Sequence, residues 1–325
     1  MRCVCPLALF LNVALPIVFA QDAKKDPDRI GTRDVSKGVN FYSIEKEMAL
    51  GKQLSLQVEK RQKLVGDKLV TEYVNRLGQN LARHSDTKIP LTVKVVEGED
   101  PNAITLPGGY IYVQTGLIRT ADTEAELAAA MAHEIAHVAA RHGTRQATRE
   151  DITQIATIPL IFMGGWPGIC IRGASSLALP MGFLAVQRAN EAEADLLGLQ
   201  YLYKTGYDPL GMVEIFEKVF SFDDRKHGKL ANLTSTHPGS DDRLVNVQKN
   251  IEALLKAQPH YIVTTSEFAN VKARLLVLDW DRKPEPVGPK PPTLRRPGDQ
   301  FGSSKKTVLE TDARASQIKE AYTKW

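Results

Sequence analysis

Glu124-Ala125-Glu126-Leu127-Ala128-Ala129-Ala130-Met131-Ala132-His133-Glu134-Ile135-Ala136-His137-Val138-Ala139-Ala140-Arg141 is the run of this 325-residue sequence on which the reading turns. Alanine and leucine favour helix, and neither glycine nor proline interrupts. Acidic residues open the run behind Thr123 and basic ones close it, an order that suits the helix dipole, with Gly143 as the expected stop. Between its ends the run is small and apolar all round, so the helix is expected to be buried. Buried polar side chains need partners, and this helix carries three at its centre: His133, Glu134 and His137.

Residues four apart lie one turn apart on nearly the same helix face, so His133 and His137 can point at one metal ion. Glu134 is rotated by about 100° and can reach a water on that ion without ligating it. This is the H-E-x-x-H arrangement of zinc peptidases. A catalytic zinc needs a third protein ligand and an open position. Glu191, in Asn190-Glu191-Ala192-Glu193-Ala194-Asp195, is the candidate, near the start of a second helical run over 187–204. Asp195 shares its face and can accept a hydrogen bond from the non-ligating nitrogen of a zinc histidine. Glu193, on another face, is the rival ligand. A solvated helix start would explain all three acids, but not the apolar Leu196-Leu197-Gly198-Leu199 that follows.

Around these two runs the chain alternates helix and strand patterns. Apolar spacing predicts helices over 43–64 and 66–83. Leu91 to Val96, Asn102 to Thr105 and Tyr110 to Val113 read as short strands, the last two joined by a tight turn at Pro107-Gly108-Gly109. Further helices are expected over 208–222 and 239–256. The expected class is α+β: a mostly helical body with a small sheet lining a cleft. Hydrophobic residues at 43% and charged residues at 25% are ordinary globular usage. The net charge of +4 is too small to imply nucleic-acid binding. Of three cysteines, two lie in the first five residues, so no disulfide scaffold is expected.

Residues 1–20 have the charged start, apolar centre and small-residue end (Val18-Phe19-Ala20) of a secretory signal. The mature chain is therefore expected to be periplasmic or secreted. Residues 21–40 read as a flexible lead, 41–256 as the metallopeptidase domain, and 257–325 as an extension with a Pro- and Lys/Arg-rich linker over 282–305 and a short terminal helix over 306–325. Between Ile152 and Gln187 the single charge is Arg172. Prolines and glycines interrupt that stretch, and one crossing would put the two metal-binding helices on opposite sides of a membrane. It is read as a lid over the cleft that also offers peripheral membrane contact.

Four motifs in order carry a family resemblance over roughly residues 40–256. They are Asn102-Ala103 with Pro107-Gly108-Gly109; His133-Glu134-x-x-His137 with Arg141-His142; Glu191-x-x-x-Asp195; and His237-Pro238 with Arg243. In these the chain resembles the gluzincin zinc metallopeptidases that include HtpX, BepA and the CAAX prenyl-protein endopeptidase. The resemblance implies a zincin-like fold and one zinc ion per chain on His133, His137 and Glu191, with Glu134 as general base. It implies that His237 reaches the active site with Arg243 nearby, either donating to the oxyanion or closing the zinc site before substrate binds. It also implies that substrate backbone lies along an edge strand at Asn102 and Ala103, an addition that main-chain hydrogen bonds make favourable. Arg141 and His142 are expected to support the site from behind, and His84, His227 and His260 to be surface residues. The function so implied is an endopeptidase acting on polypeptides in envelope protein quality control. The alternative is a zinc-stabilised chaperone or scaffold with latent protease activity; Glu134 favours the enzyme, since a structural zinc site has no need of a base.

Overall fold

The computed structural model describes residues 24–151, 186–227, 237 and 241–281. The signal segment, the uncharged stretch over 152–185, the linker and the terminal helix lie outside the described residues. By contacts the chain divides into Met1–Leu275 and Leu276–Trp325. All that follows concerns the first unit.

Two capped helices open the body. In α1 (Ile44–Arg61) the Ser43 side chain accepts from the Lys46 amide. In α2 (Lys68–Arg83) Asp67 accepts from the Val70 amide. Each cap satisfies one of the orphan donors of a first turn. The buried face of α2 is Val70, Tyr73, Val74, Leu77, Gly78 and Leu81, the helical stripe that its sequence predicts.

Three strands follow: β1 (Thr92–Val96), β2 (Ala103–Leu106) and β3 (Tyr110–Gln114). The sheet order is β1-β3-β2, with β1 parallel and β2 antiparallel to β3. The hairpin register pairs Leu106 with Tyr110, and the turn is closed by Gly108 and Gly109 at φ 77° and 85°, backbone that side chains with a Cβ avoid. α1 lies on this sheet: Val96, Leu106 and Tyr112 form a buried cluster with Leu54 and Val58 against it. β2 is thus an edge strand, and it borders the site.

The short α3 (Thr115–Thr120) leads into α4 (Glu124–Ala139), the alanine-rich helix, capped by Thr123. It is buried on nearly every side, packed against α2, β2 and α7 (Leu210–His227). The sequence reading ran this helix on to Arg141 with Gly143 as its stop; it ends instead at Ala139. Arg141 takes φ 54°, a rare conformation for a residue with a Cβ, and α5 (142–151) starts directly after it. Two bonds hold Arg141 there: Nε donates to Glu47 Oε2 at 2.6 Å and Nη2 to the Tyr42 carbonyl at 2.7 Å.

α6 (186–204), α8 (Asp241–Leu254) and α9 (Ser266–Asp281) complete the elements among the described residues. None of the helices searched is long and apolar enough to cross a membrane. Two segments differ from the sequence reading. Residues 24–40, read as a flexible lead, pack on the body: Val35 is buried, and Arg33, also buried, donates to Asp86 at 2.9 Å. Beyond residue 256, where the domain was expected to end, α9 buries Phe268, Val271 and Leu275. Composition misled at both ends, because each segment has few apolar residues and those few are the ones that pack.

Candidate metal centre

α4 and α6 cross at the closest approach in the molecule that matters for chemistry. A Cβ on Gly198 would lie 2.9 Å from the His133 Cα and backbone nitrogen. Only glycine lets the two backbones meet so closely, and the crossing sets the first turns of α6 beside His133 and His137.

The ring nitrogens and the acid converge. His133 Nε2 lies 3.1 Å from His137 Nε2 and 3.4 Å from Glu191 Oε2. His137 Nε2 is 3.5 Å from Glu191 Oε1. His237 Nδ1 joins them, 3.3 Å from His133 Nε2 and 3.1 Å from each Glu191 oxygen. Donor atoms of these four residues all lie within 4.8 Å of one another. Four lone-pair donors packed this tightly, with His133 and Glu191 buried, repel unless a cation or shared protons stand among them. Burial disfavours a charged Glu191, yet the surrounding imidazoles His237 and His137 hold its carboxyl well below the usual range. Burial pushes His137 well down. It also acts against protonated His133, but hydrogen bonds to Asp195 and Glu191 outweigh it and raise that ring to about 9.

The far side of each ring fits a metal. His133 Nδ1 faces Asp195 Oδ1 at 3.0 Å, and His137 Nδ1 faces Nδ1 of His142 at 3.0 Å. With acceptors behind both rings, both Nε2 lone pairs are left to face the centre, the arrangement of metal-ligating histidines. Two imidazoles and a carboxylate suit zinc among several divalent ions.

Glu134 points the other way round the helix, as its position predicts. Its Oε2 accepts from Thr105 Oγ1 at 2.6 Å, and its Oε1 lies 3.2 Å from His237 Nε2. Thr105 escaped the sequence reading; it belongs to β2, and nothing local says that this edge strand reaches α4. Arg243, on α8, donates through Nε and Nη2 to the two oxygens of Asp195 at 2.8 and 2.7 Å, and Nη1 lies 3.1 Å from Glu191. Its guanidinium also stacks 5.0 Å from the centroid of Phe216 and 5.3 Å from that of Phe220. It therefore touches the two acids of α6, where the sequence reading grouped it with the catalytic residues. Glu193, the rival ligand, lies outside the cluster: Oε2 is 3.2 Å from His142 Nε2 and 3.4 Å from Arg145 Nη1.

Asn102 and Ala103 border a cavity that also takes in His133, Glu134, His237 and Arg243. Ala103 pairs with Val113 of β3, so the opposite main-chain edge of β2 faces away from the sheet. His84 and His260 stand apart from the cluster, His84 bonding the Asn80 carbonyl at 2.9 Å and His260 exposed.

The profile of peptidase family M48 matches residues 68–251, a span that contains the ligand-bearing helices and Arg243. The chain belongs to that family. This agrees with the resemblance drawn from the four motifs. Among proteins similar to this M48 member is the beta-barrel assembly-enhancing protease of Escherichia coli (strain K12), 31% identical over 270 residues, covering 79% of this chain and 53% of that protein. The putative beta-barrel assembly-enhancing protease of Vibrio cholerae is 29% identical over 277 residues, covering 82% and 56%. The mitochondrial metalloendopeptidase OMA1 of Saccharomyces cerevisiae is 29% identical over 156 residues, covering 46% and 43%. The chain spans about half the length of these relatives.

Proposed function

We propose that this M48 chain is a zinc-dependent endopeptidase that hydrolyses peptide bonds of polypeptides, with one ion per chain held by His133, His137 and Glu191. The observation that carries the reading is the convergence of those three donors beside a fourth acid, Glu134, which does not share their centre. A bound zinc ion would supply Lewis acidity toward a water and the scissile carbonyl. Glu134 takes the water's proton and passes it to the leaving amine. Thr105 keeps that carboxylate turned toward the cleft. Asp195 orients His133, and Arg243 holds Asp195 and Glu191 in register, so Arg243 positions the ligands rather than touching substrate. His237, with Nδ1 in the donor cluster, closes the centre until substrate displaces it. An extended substrate lies along β2 at Asn102 and Ala103, adding to the sheet edge.

Names of the relatives support a place in envelope protein quality control. A periplasmic or secreted location follows from the signal-like first twenty residues, and peripheral membrane contact through 152–187 belongs to the same proposal. A chaperone with latent activity would not need Glu134 anchored by Thr105.

The test is casein and peptide-library cleavage with metal analysis in parallel. Glu134→Gln is expected to abolish cleavage with zinc retained, and turnover in that variant would refute the base. Glu191→Gln is expected to lose zinc, and a full complement there would refute the ligand set.

A further inference from the structure

Behind His137 runs a line of polar groups that the proposed hydrolysis leaves unused. His137 Nδ1 is 3.0 Å from His142 Nδ1, and the opposite nitrogen of His142, Nε2, is 3.2 Å from Glu193 Oε2. Glu193 also accepts from Arg145 Nη1 at 3.4 Å and from Lys24 Nζ. Lys24 is itself pinned through its main chain, since its carbonyl accepts from Arg33 Nη1 at 2.7 Å and Gln200 Nε2 at 3.0 Å. The ring of His142 is 4% exposed, so water does not substitute for these partners.

The direction of each hydrogen bond fixes the next. A His137 whose Nε2 offers a lone pair to a metal carries its hydrogen on Nδ1. That N–H needs an acceptor, so Nδ1 of His142 must be bare and its hydrogen must sit on Nε2. Glu193, an acceptor only when ionised, takes that hydrogen. With the other tautomer of His142, two N–H groups would face each other at 3.0 Å. Relief would shift the hydrogen of His137 to Nε2, where it blocks the ion.

We propose that Glu193 and His142 are positioning residues that hold His137 in its metal-binding tautomer, and that Lys24 of the N-terminal segment aims Glu193 for this task. The inference rests on the metal-centre reading above. It makes α6 the source of three carboxylates with three roles: Glu191 on the ion, Asp195 behind one histidine, and Glu193 behind the other through a relay. It also makes the segment before α1 part of the centre.

The experiment is equilibrium Co²⁺ binding to the full chain by competition with a chromophoric chelator, read beside circular dichroism and the visible Co²⁺ spectrum. His142→Leu and Glu193→Leu are expected to weaken Co²⁺ binding about 10–100-fold, the usual cost of losing a partner behind a ligand. His142→Gln, whose side-chain oxygen can accept from Nδ1–H, is expected to recover most of it. Glu193→Gln keeps an acceptor and is expected to stay near wild type with an unchanged spectrum. Were Glu193 a ligand, its Gln variant would lose the ion as the Leu variant does, and the proposal would fall. Leucine variants that bind Co²⁺ as tightly as wild type would overturn it as well, leaving the ligand set intact. If the leucine variants do not fold, Lys24→Ala decides: its side chain is 28% exposed, and an unaltered Co²⁺ affinity there overturns the proposal. A wild-type chain that binds no Co²⁺ would instead defeat the metal reading itself.

Discussion

His133 and His137 stand one turn apart on α4, yet the protein secures their outer nitrogens by different means. Behind His133 there is one step: Asp195, buried, gripped by both arms of Arg243. Behind His137 there are two: His142, then Glu193, whose side chain is 18% exposed and which ends on Arg145 and Lys24. The first side is sealed inside the crossing of α4, α6 and α8. The second opens toward the N-terminal segment. A ligand backed by a buried ion pair is rigid but intolerant of change; one backed by a relay that reaches solvent can be adjusted from outside.

The largest way to break this contrast is Asp195→Leu. It leaves Arg243 buried without its bidentate partner, and stripping one member from a buried pair costs about 3–5 kcal/mol. A urea midpoint close to wild type would show that the sealed side is not sealed. Next is Gly198→Ala, which puts a Cβ 2.9 Å from the His133 backbone. Overpacking of that kind costs about 1–3 kcal/mol, and prying α6 from α4 should weaken metal binding to both histidines together. Chelator competition would detect it, and unequal loss in the Co²⁺ spectrum would argue against a shared hinge.

A smaller effect sharpens the contrast by pH. Burial opposes ionised Glu193, but bonds to His142 and Lys24 prevail and hold its carboxyl down at about 2 in the metal-free chain. A carboxyl lowered below its unfolded value of about 4.3 stabilises the fold above that pH and ceases to do so as pH falls toward 2. The stability gap between wild type and Glu193→Leu should therefore be full at neutral pH and shrink as pH falls from about 4 toward 2. A gap independent of pH in thermal melts would count against the pairing. The smallest change is Lys24→Ala: a half-exposed ion pair contributes about 0–1 kcal/mol, so the melting temperature should scarcely move even as Co²⁺ affinity falls.

The two sides also differ in how much of them could be read from sequence. His133, His137, Glu191 and Asp195 are placed by i, i+4 spacing on helices, a local rule that tertiary packing did not disturb. The strands and the Pro107-Gly108-Gly109 turn were legible for the same reason. The relay was not. It depends on Arg141 entering a left-handed conformation, and a sequence with Gly143 two residues later gives no reason to look there. What forces it is Glu47, 94 positions away on α1. Thr105 beside Glu134 and Lys24 beside Glu193 are likewise distant pairings that no periodicity announces. Gly198 stood in plain sight within an apolar run, but its meaning, the backbone contact, exists only once both helices are present.

The burial of α4 on almost all sides has a consequence for how the protein matures. A helix with so little polar surface has nowhere to rest until its neighbours arrive, and the third donor, Glu191, is synthesised 54 positions after His137. A growing chain thus lacks a finished pocket for an ion at every stage before α6 is in place. Ion capture must come late, after export and folding have run their course, and whatever supplies the ion must do so in the compartment where the protein ends its journey.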